Sequence, residues 1–168
     1  MQDARLRTSF LHKAMVDAGR LGRKTGQGWF TYEEGKMVNA PSPDYIPQGS
    51  AGPVAAASDS TELAALCTEL GLELVADDGA CPLLAAPIGT DATETALKFG
   101  VDSRRLVCID PVGSLEKRVV LMMAPGADSQ AADKIAAGII ANGRAATLIR
   151  DSAGFVGQRL AAMVSNLG

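Results

Sequence analysis

The residues that could carry chemistry in this chain are a lone histidine, three cysteines, an aspartate pair and a glycine-rich segment holding a basic cluster. His12 lies beside an apolar helical stripe. A catalytic role would need a reacting group and an orienting carboxylate, and nothing local supplies them, so a surface or boundary histidine is the simpler reading. Cys67, Cys81 and Cys108 are odd in number and share no CxxC spacing, which argues against a disulfide framework or a zinc site and for a reducing compartment. Cys67 falls on an apolar helix face and Cys108 inside an apolar run, where buried inert thiols are expected. The segment Gly19 to Tyr32, GRLGRKTGQGWFTY, can be read in two ways. Backbone amides freed by glycine beside Arg20, Arg23 and Lys24 could cradle a phosphate. Alternatively Gly22, Gly26 and Gly28 supply positive φ in a tight excursion that Trp29, Phe30 and Tyr32 pin to a core. It is not a Walker A loop, because Arg23 rather than glycine precedes Lys24-Thr25, and the spacing favours the structural reading.

Composition bounds the positioning elements. With 168 residues, 47% hydrophobic and 21% charged, the chain can hold one ordinary domain, or a small domain plus fragments of neighbours. A net charge of −3, with no basic stripe beyond Arg20–Lys24, argues against a nucleic-acid surface. No apolar run is long enough to cross a membrane, and the N-terminus lacks the pattern of a signal peptide, so a cytoplasmic location is expected.

Residues 6–18 read as an amphipathic helix carrying Leu11, Ala14, Met15 and Ala18, capped by Gly19. Residues 39–53 hold four prolines and two glycines and read as a linker. Strands and helices then alternate. Val54–Ala57 is a strand. Asp59 and Glu62 form a capping box before a helix with Leu63, Leu66, Cys67 and Leu70 on one face, closed by Gly71. Leu72–Ala76 and Leu83–Ala86 are strands, and 90–99 is a helix with Ala92, Ala96 and Phe99 inward. Leu106–Ile109 and Val119–Met123 are strands, the second apolar throughout. Residues 130–141 are a helix with Ala132, Ile135, Ala136 and Ile139 inward, followed by strand Ala145–Ile149. From Gly154 a last helix sets Val156, Leu160, Met163 and Leu167 on one face. This alternation predicts an α/β layered domain with a mainly parallel sheet.

Two stretches resemble a known family. GRLGRKTGQGWFTY, with the helix FLHKAMVDA before it, is similar to the segment that closes the helical C-terminal domain of NAD-dependent 3-hydroxyacyl-CoA dehydrogenases. RVVLMMAPG, a helix, and AATLIRDSAGFVGQRLAAMVSN resemble that family's closing strand–helix–strand and the signature leading into its helical domain. Asp151, Ser152, Gly154, Phe155, Val156, Arg159 and Leu160 match the signature, and Gln158 stands where the family usually has asparagine. The resemblance implies the tail of a helical domain over 1–38 and a linker over 39–53. It further implies a Rossmann-like three-layer domain over 54–150 and the first helix of another helical domain over 151–168. That order suits bacterial enzymes with two tandem units of the phenylacetate-degradation kind.

The family's chemistry is largely missing from the matching positions. In a dinucleotide loop three glycines make the turn, admit the pyrophosphate and let helix and strand pack closely. Ser58, Ser60 and Leu63 stand at those positions. Asp77 falls where a ribose-binding acid would sit, although a solvated turn aspartate is the favoured reading. The family's catalytic histidine opens a His-Phe-Phe-Asn-Pro-Val motif. The matching run here is Val107 to Val112, with Val107 at the histidine position and Asp110 at the asparagine. The partner glutamate has no clear counterpart. Between Asp78 and Leu83 the chain is too short for the family's extra helix and strand, so either that unit is deleted or Leu83–Asp91 is its remnant.

The resemblance therefore implies a non-catalytic, structural piece of an oxidoreductase of fatty acid metabolism. The parent would oxidise 3-hydroxyacyl-CoA to 3-oxoacyl-CoA with NAD, and its acyl-CoA substrate would be handled elsewhere. No cofactor or metal is expected on these residues, and neither nucleic acid nor membrane is an expected partner. A degenerate nucleotide- or CoA-binding module is the alternative, with Asp77 and the Arg20–Lys24 cluster as its best features. An oligomerisation domain forming a homodimer is another. In that case the stripes Leu11–Met15 and Val156–Leu160–Met163 should pack against the Rossmann-like core or a second copy.

Overall fold

Helical spacing before Gly19 and short apolar runs after Pro53 give two separate units in the computed structural model, which describes residues 9–38, 44–113 and 115–167. The units are Met1–Ser42 and Pro43–Gly168.

In the first unit, α1 (Phe10–Asp17) ends where Gly19 adopts φ 69°, letting the amides of Gly19 and Arg20 reach back to the carbonyls of Val16 and Met15. The expected residues 6–8 of this helix lie outside the described residues. The glycine-rich excursion then closes on itself. Gly22 N–H donates to the Gln27 carbonyl, Gly28 N–H to Phe30 and Tyr32 N–H to Gly26. Gly22 and Gly26 have positive φ, but Gly28 does not; it is small because a Cβ there would come within 2.7 Å of the Gly22 Cα. An unexpected antiparallel hairpin follows, β1 (Thr31–Glu33) and β2 (Lys36–Val38), turned by Glu34 and Gly35, both at positive φ. Trp29 and Phe30 do not pin the loop to a core as expected. They are 59% and 40% exposed, and Trp29 instead meets the edge of His12 at 5.9 Å.

The second unit is an α/β Rossmann-like domain of three layers. Its strands are β3 (Val54–Ala56), β4 (Leu74–Val75), β5 (Leu83–Ala85), β6 (Leu106–Ile109), β7 (Arg118–Met123) and β8 (Ala145–Arg150), in the order β4-β3-β5-β6-β7-β8. Every ladder is parallel except β6–β7. Helices α2 (Thr61–Leu70) and α4 (Ser129–Ala141) cover one face, where Leu63, Leu70, Ile135 and Ile139 close over Val107, Ile109 and Leu121. Helix α3 (Ala92–Phe99) and the root of α5 (Val156–Leu167) cover the other, with Phe155 fully buried beside Leu106, Cys108 and Met122. The sheet ends at β4, one strand short of the doubly wound order 3-2-1-4-5-6. Since β5 pairs with β3 on the opposite side, it is not a remnant of the missing strand. Neither a helix nor a further strand lies between Asp78 and Leu83, and the chain passes from β4 to β5 directly.

Several local expectations shift. The cap of α2 is Ser60 rather than Asp59: its Oγ accepts from Leu63 N–H at 3.2 Å, because the first orphan amides lie three residues after the cap. Phe99 is 38% exposed. The buried face of α3 is Ala92, Thr95 and Ala96, and Phe99 is the last residue of the helix before the Gly100 cap, at the edge of that face. The linker also changes character. Residues 39–43 lie outside the described set, but from Asp44 onward the segment straps the α/β unit. Tyr45 N–H donates to the Ala146 carbonyl on edge strand β8, and its hydroxyl donates to buried Asp133 on α4 at 2.8 Å. Gln48 N–H meets the same carboxylate, and Arg118 reaches Asp44. Proline holds such a strap extended, and the strap covers part of a sheet edge that would otherwise be open.

Candidate functional site

In open α/β sheets ligands bind outside the carboxyl ends of the strands, where successive crossovers run in opposite directions. Here that switch point lies between β3 and β5. A cleft of ≈ 660 Å³ opens there, floored by Leu63, Leu66, Pro111 and Leu115 and rimmed by Ile88 and Phe99. The turn from β3 into α2 brings Ser58 and Ser60 to its edge, and the end of β5 brings Ala86 and Pro87.

The residues at this turn do not fit a dinucleotide pyrophosphate. Such a group binds at a helix N-terminus through free amides and needs glycine to come close. Ser60 already caps α2, and its hydroxyl donates to the Glu62 carboxylate at 2.8 Å. That hydrogen bond is the main cause that lowers the Glu62 pKa, so the negative charge at this helix end is the protein's own. Leu63, at the third glycine position, is a buried core side chain rather than a gap.

Val107 is fully buried in β6, paired with Leu84 and Met123 and packed toward α2 and α4, so its position faces the core and not the cleft. Asp77 stands in a turn, its Oδ1 accepting from Gly79 N–H. Its carboxylate sits where β5 and β6 begin, the opposite end of the sheet from the cleft, and both its oxygens accept from the Arg105 guanidinium at 2.8 and 3.1 Å. Arg105 also donates to the Cys81 carbonyl. This hydrogen-bonded ion pair, with Gly79 N–H, holds the Asp77 carboxyl down at about 2. A carboxylate depressed in the folded state stabilises above its ordinary pKa of 3.8 and loses that contribution as pH falls toward 2. Asp77→Asn is therefore expected to flatten the fall of the thermal midpoint across that window while leaving its shape above pH 5 unchanged. An unchanged acid limb would show that the pair contributes nothing.

Asp77, Asp78 and Cys81 cluster closely enough to resemble metal ligands. Both Asp77 oxygens accept from Arg105, and Asp77 Oδ1 and Asp78 Oδ1 accept from the amides of Gly79, Ala80 and Cys81, the bonding of a turn that routes the chain into β5. Burial raises the Cys67 and Cys108 thiols, Cys108 to about 12, so neither is a nucleophile at neutral pH. In the first unit the amides of Leu21, Gly22, Thr25, Gly28 and Tyr32 are bonded within the glycine-rich loop, and Arg20, Arg23 and Lys24 are exposed side chains around it.

The structure brings together two residues that the sequence showed only as separate departures from the family pattern. Gln158, on the first turn of α5, donates through Nε2 to Asp110 Oδ1 and to the Pro87 carbonyl, each at 3.0 Å, and accepts from Gly89 N–H at 2.8 Å. Asp110, 3% exposed, also accepts from Val112 N–H. Asp151 caps α3 by accepting from Ala92 N–H and from Thr93. Gly154, at φ 71°, stands beside Gly89. The signature residues thus clamp the start of α5 to the ends of β5 and β6.

From Met37 to Leu97 the sequence holds nine acidic residues and no basic one, and two of the nine, Glu62 and Glu69, line the cleft. A run of one sign was the available signal.

No family model matches the sequence, and no curated protein matches it. The solved structure of 3-hydroxybutyryl-CoA dehydrogenase from Escherichia coli K12 matches with a TM-score of 0.59 at 19% identity. The match covers 98% of this chain and 31% of that chain, so the chain spans about a third of the solved dehydrogenase's length. At this identity the likeness concerns the fold. No helix among the described residues is long and apolar enough to cross a membrane.

Proposed function

We propose that this chain is a non-catalytic structural module of a 3-hydroxyacyl-CoA dehydrogenase, in which oxidation of 3-hydroxyacyl-CoA to 3-oxoacyl-CoA with NAD takes place on residues outside it. The observation that carries the non-catalytic reading is the α2 N-terminus, where Ser60 and Glu62 hold the position a pyrophosphate would take. Val107 at the position of the family's base has no proton to exchange. The parentage is supported by the likeness to the solved dehydrogenase. That match covers 98% of this chain and so takes in most of both units in one order, which suits the tandem arrangement. Three buried free cysteines suit a cytoplasmic protein.

The module's role is packing. Val156, Leu160, Met163 and Val164 form one stripe on α5 with 48%, 57%, 59% and 71% exposure, and Phe10, Leu11 and Val16 are exposed on α1. The expectation that these stripes pack on the Rossmann-like core is not met for α5, which is buried only at its root; Leu167 lies outside the described side chains. In the parent, further helices of the enzyme would cover them, and in isolation a second copy would.

Calorimetric titration of the purified chain with NADH, CoA and ADP tests the reading, together with an assay of NADH oxidation by acetoacetyl-CoA. No binding and no turnover are expected. Enzyme-like turnover would overturn the non-catalytic assignment, and CoA or ADP binding alone would favour a degenerate binding module.

A further inference from the structure

We propose that the cleft between β3 and β5 docks a cationic amphipathic helix of a protein partner. The inference rests on the reading that the cleft does not take a dinucleotide, and it adds what the cleft does take.

The floor is apolar, from Leu63 and Leu66 on α2 to Leu115 beyond β6, and Ile88 and Phe99 stand exposed at the rim, at 71% and 38%. Glu62 and Glu69 flank the floor along α2, and no basic residue lines the cleft. Lys98 lies over the Phe99 ring at 5.9 Å and borders an adjoining hollow rather than the cleft itself. Between Ser60 and Glu69 the wall runs for about 14 Å at 1.5 Å per residue, enough for two to three turns of a docked helix. An apolar trough with carboxylates along one side is complementary to a helix that presents leucine-like side chains to the floor and lysine or arginine to the flank. The same carboxylates repel nucleotide phosphates.

The test uses the full chain and a labelled amphipathic Leu/Lys peptide of about 14 residues, long enough to span the trough, read by fluorescence anisotropy. Saturable binding is expected, weakening with added salt. Glu62→Gln with Glu69→Gln should weaken it ~10-fold, by removing the two flanking charges. Ile88→Ser with Phe99→Ser, both at exposed rim positions, should weaken it similarly. Glu73→Gln, an exposed acid outside the lining, should change it less than ~2-fold, as a distant screened charge does. Equal loss with Glu73→Gln would show diffuse charge attraction and overturn the proposal. So would equal binding of a Leu/Glu peptide, or binding of decylammonium with none of the peptide, which would mark a small-amphiphile site. NADH in the same assay separates the two claims. NADH binding with the peptide result intact contradicts only the cofactor reading, and a silent peptide with silent NADH contradicts only this one.

Discussion

Phe155→Ala is expected to be the most destabilising single truncation in the α/β unit. Phe155 is fully buried, the largest of the side chains that are, and sits between α3 and the sheet against Ala92, Leu106, Cys108 and Met122. Truncating a buried phenylalanine costs ~3–5 kcal/mol, combining lost transfer energy with the cavity left behind. For a domain of this size that is a fall of roughly 10–20 °C in the thermal midpoint. Phe155 also anchors α5, whose described side chains after Gln158 are exposed, so the helical signal should drop with the same variant. Leu160→Ala, on the exposed stripe, should stay within ~0.5 kcal/mol of the parent chain. Equal effects from the two variants in thermal melts would show that the root of α5 is not seated as described.

Gln158→Leu is the second. The leucine keeps volume but breaks three hydrogen bonds, to Asp110, Pro87 and Gly89. Asp110 keeps only Val112 N–H on that oxygen while remaining buried. Leaving buried polar partners unsatisfied, one of them a carboxylate, costs ~2–4 kcal/mol. A merely misfitting side chain could do the same, so Gln158→Glu adds a distinct readout. It sets two carboxylates against one another, and it should be destabilised at neutral pH and recover on acidification, when one proton can be shared. Asp110→Asn, which keeps an acceptor for Gln158, should cost less than ~1 kcal/mol. A Gln158→Glu variant with no pH-dependent recovery in urea melts would contradict the contact.

These two residues show where reading the sequence ran out. Asp110 and Gln158 were both visible as departures from a family pattern, but nothing local says that positions 48 apart share a hydrogen bond. What was legible is what local physics fixes. Apolar runs at helical or strand spacing, bounded by Gly71 and Gly100, gave the α/β alternation almost entire, because periodicity and glycine stops act within a few residues, while the opening caps Ser60 and Asp91 were not the ones expected. The hairpin was missed because Glu34-Gly35 lacks the usual asparagine or aspartate of such turns. Asp77 has the chain spacing of a ribose-binding acid, but the short passage from β4 to β5 sets it in a turn against Arg105, a partner that sequence distance alone does not reveal. Trp29 and Phe30 were expected inside because aromatic residues usually bury, and here the unit they belong to offers no core to receive them.

The central claim is that a dinucleotide fold has kept its core while its own side chains have closed the nucleotide position. Isothermal titration of the purified chain with NADH tests that claim most directly. The predicted result is no saturable heat up to millimolar ligand, with Ser60→Gly no better. Saturable binding in the micromolar range, lost on mutation at the β3–α2 turn, would contradict it.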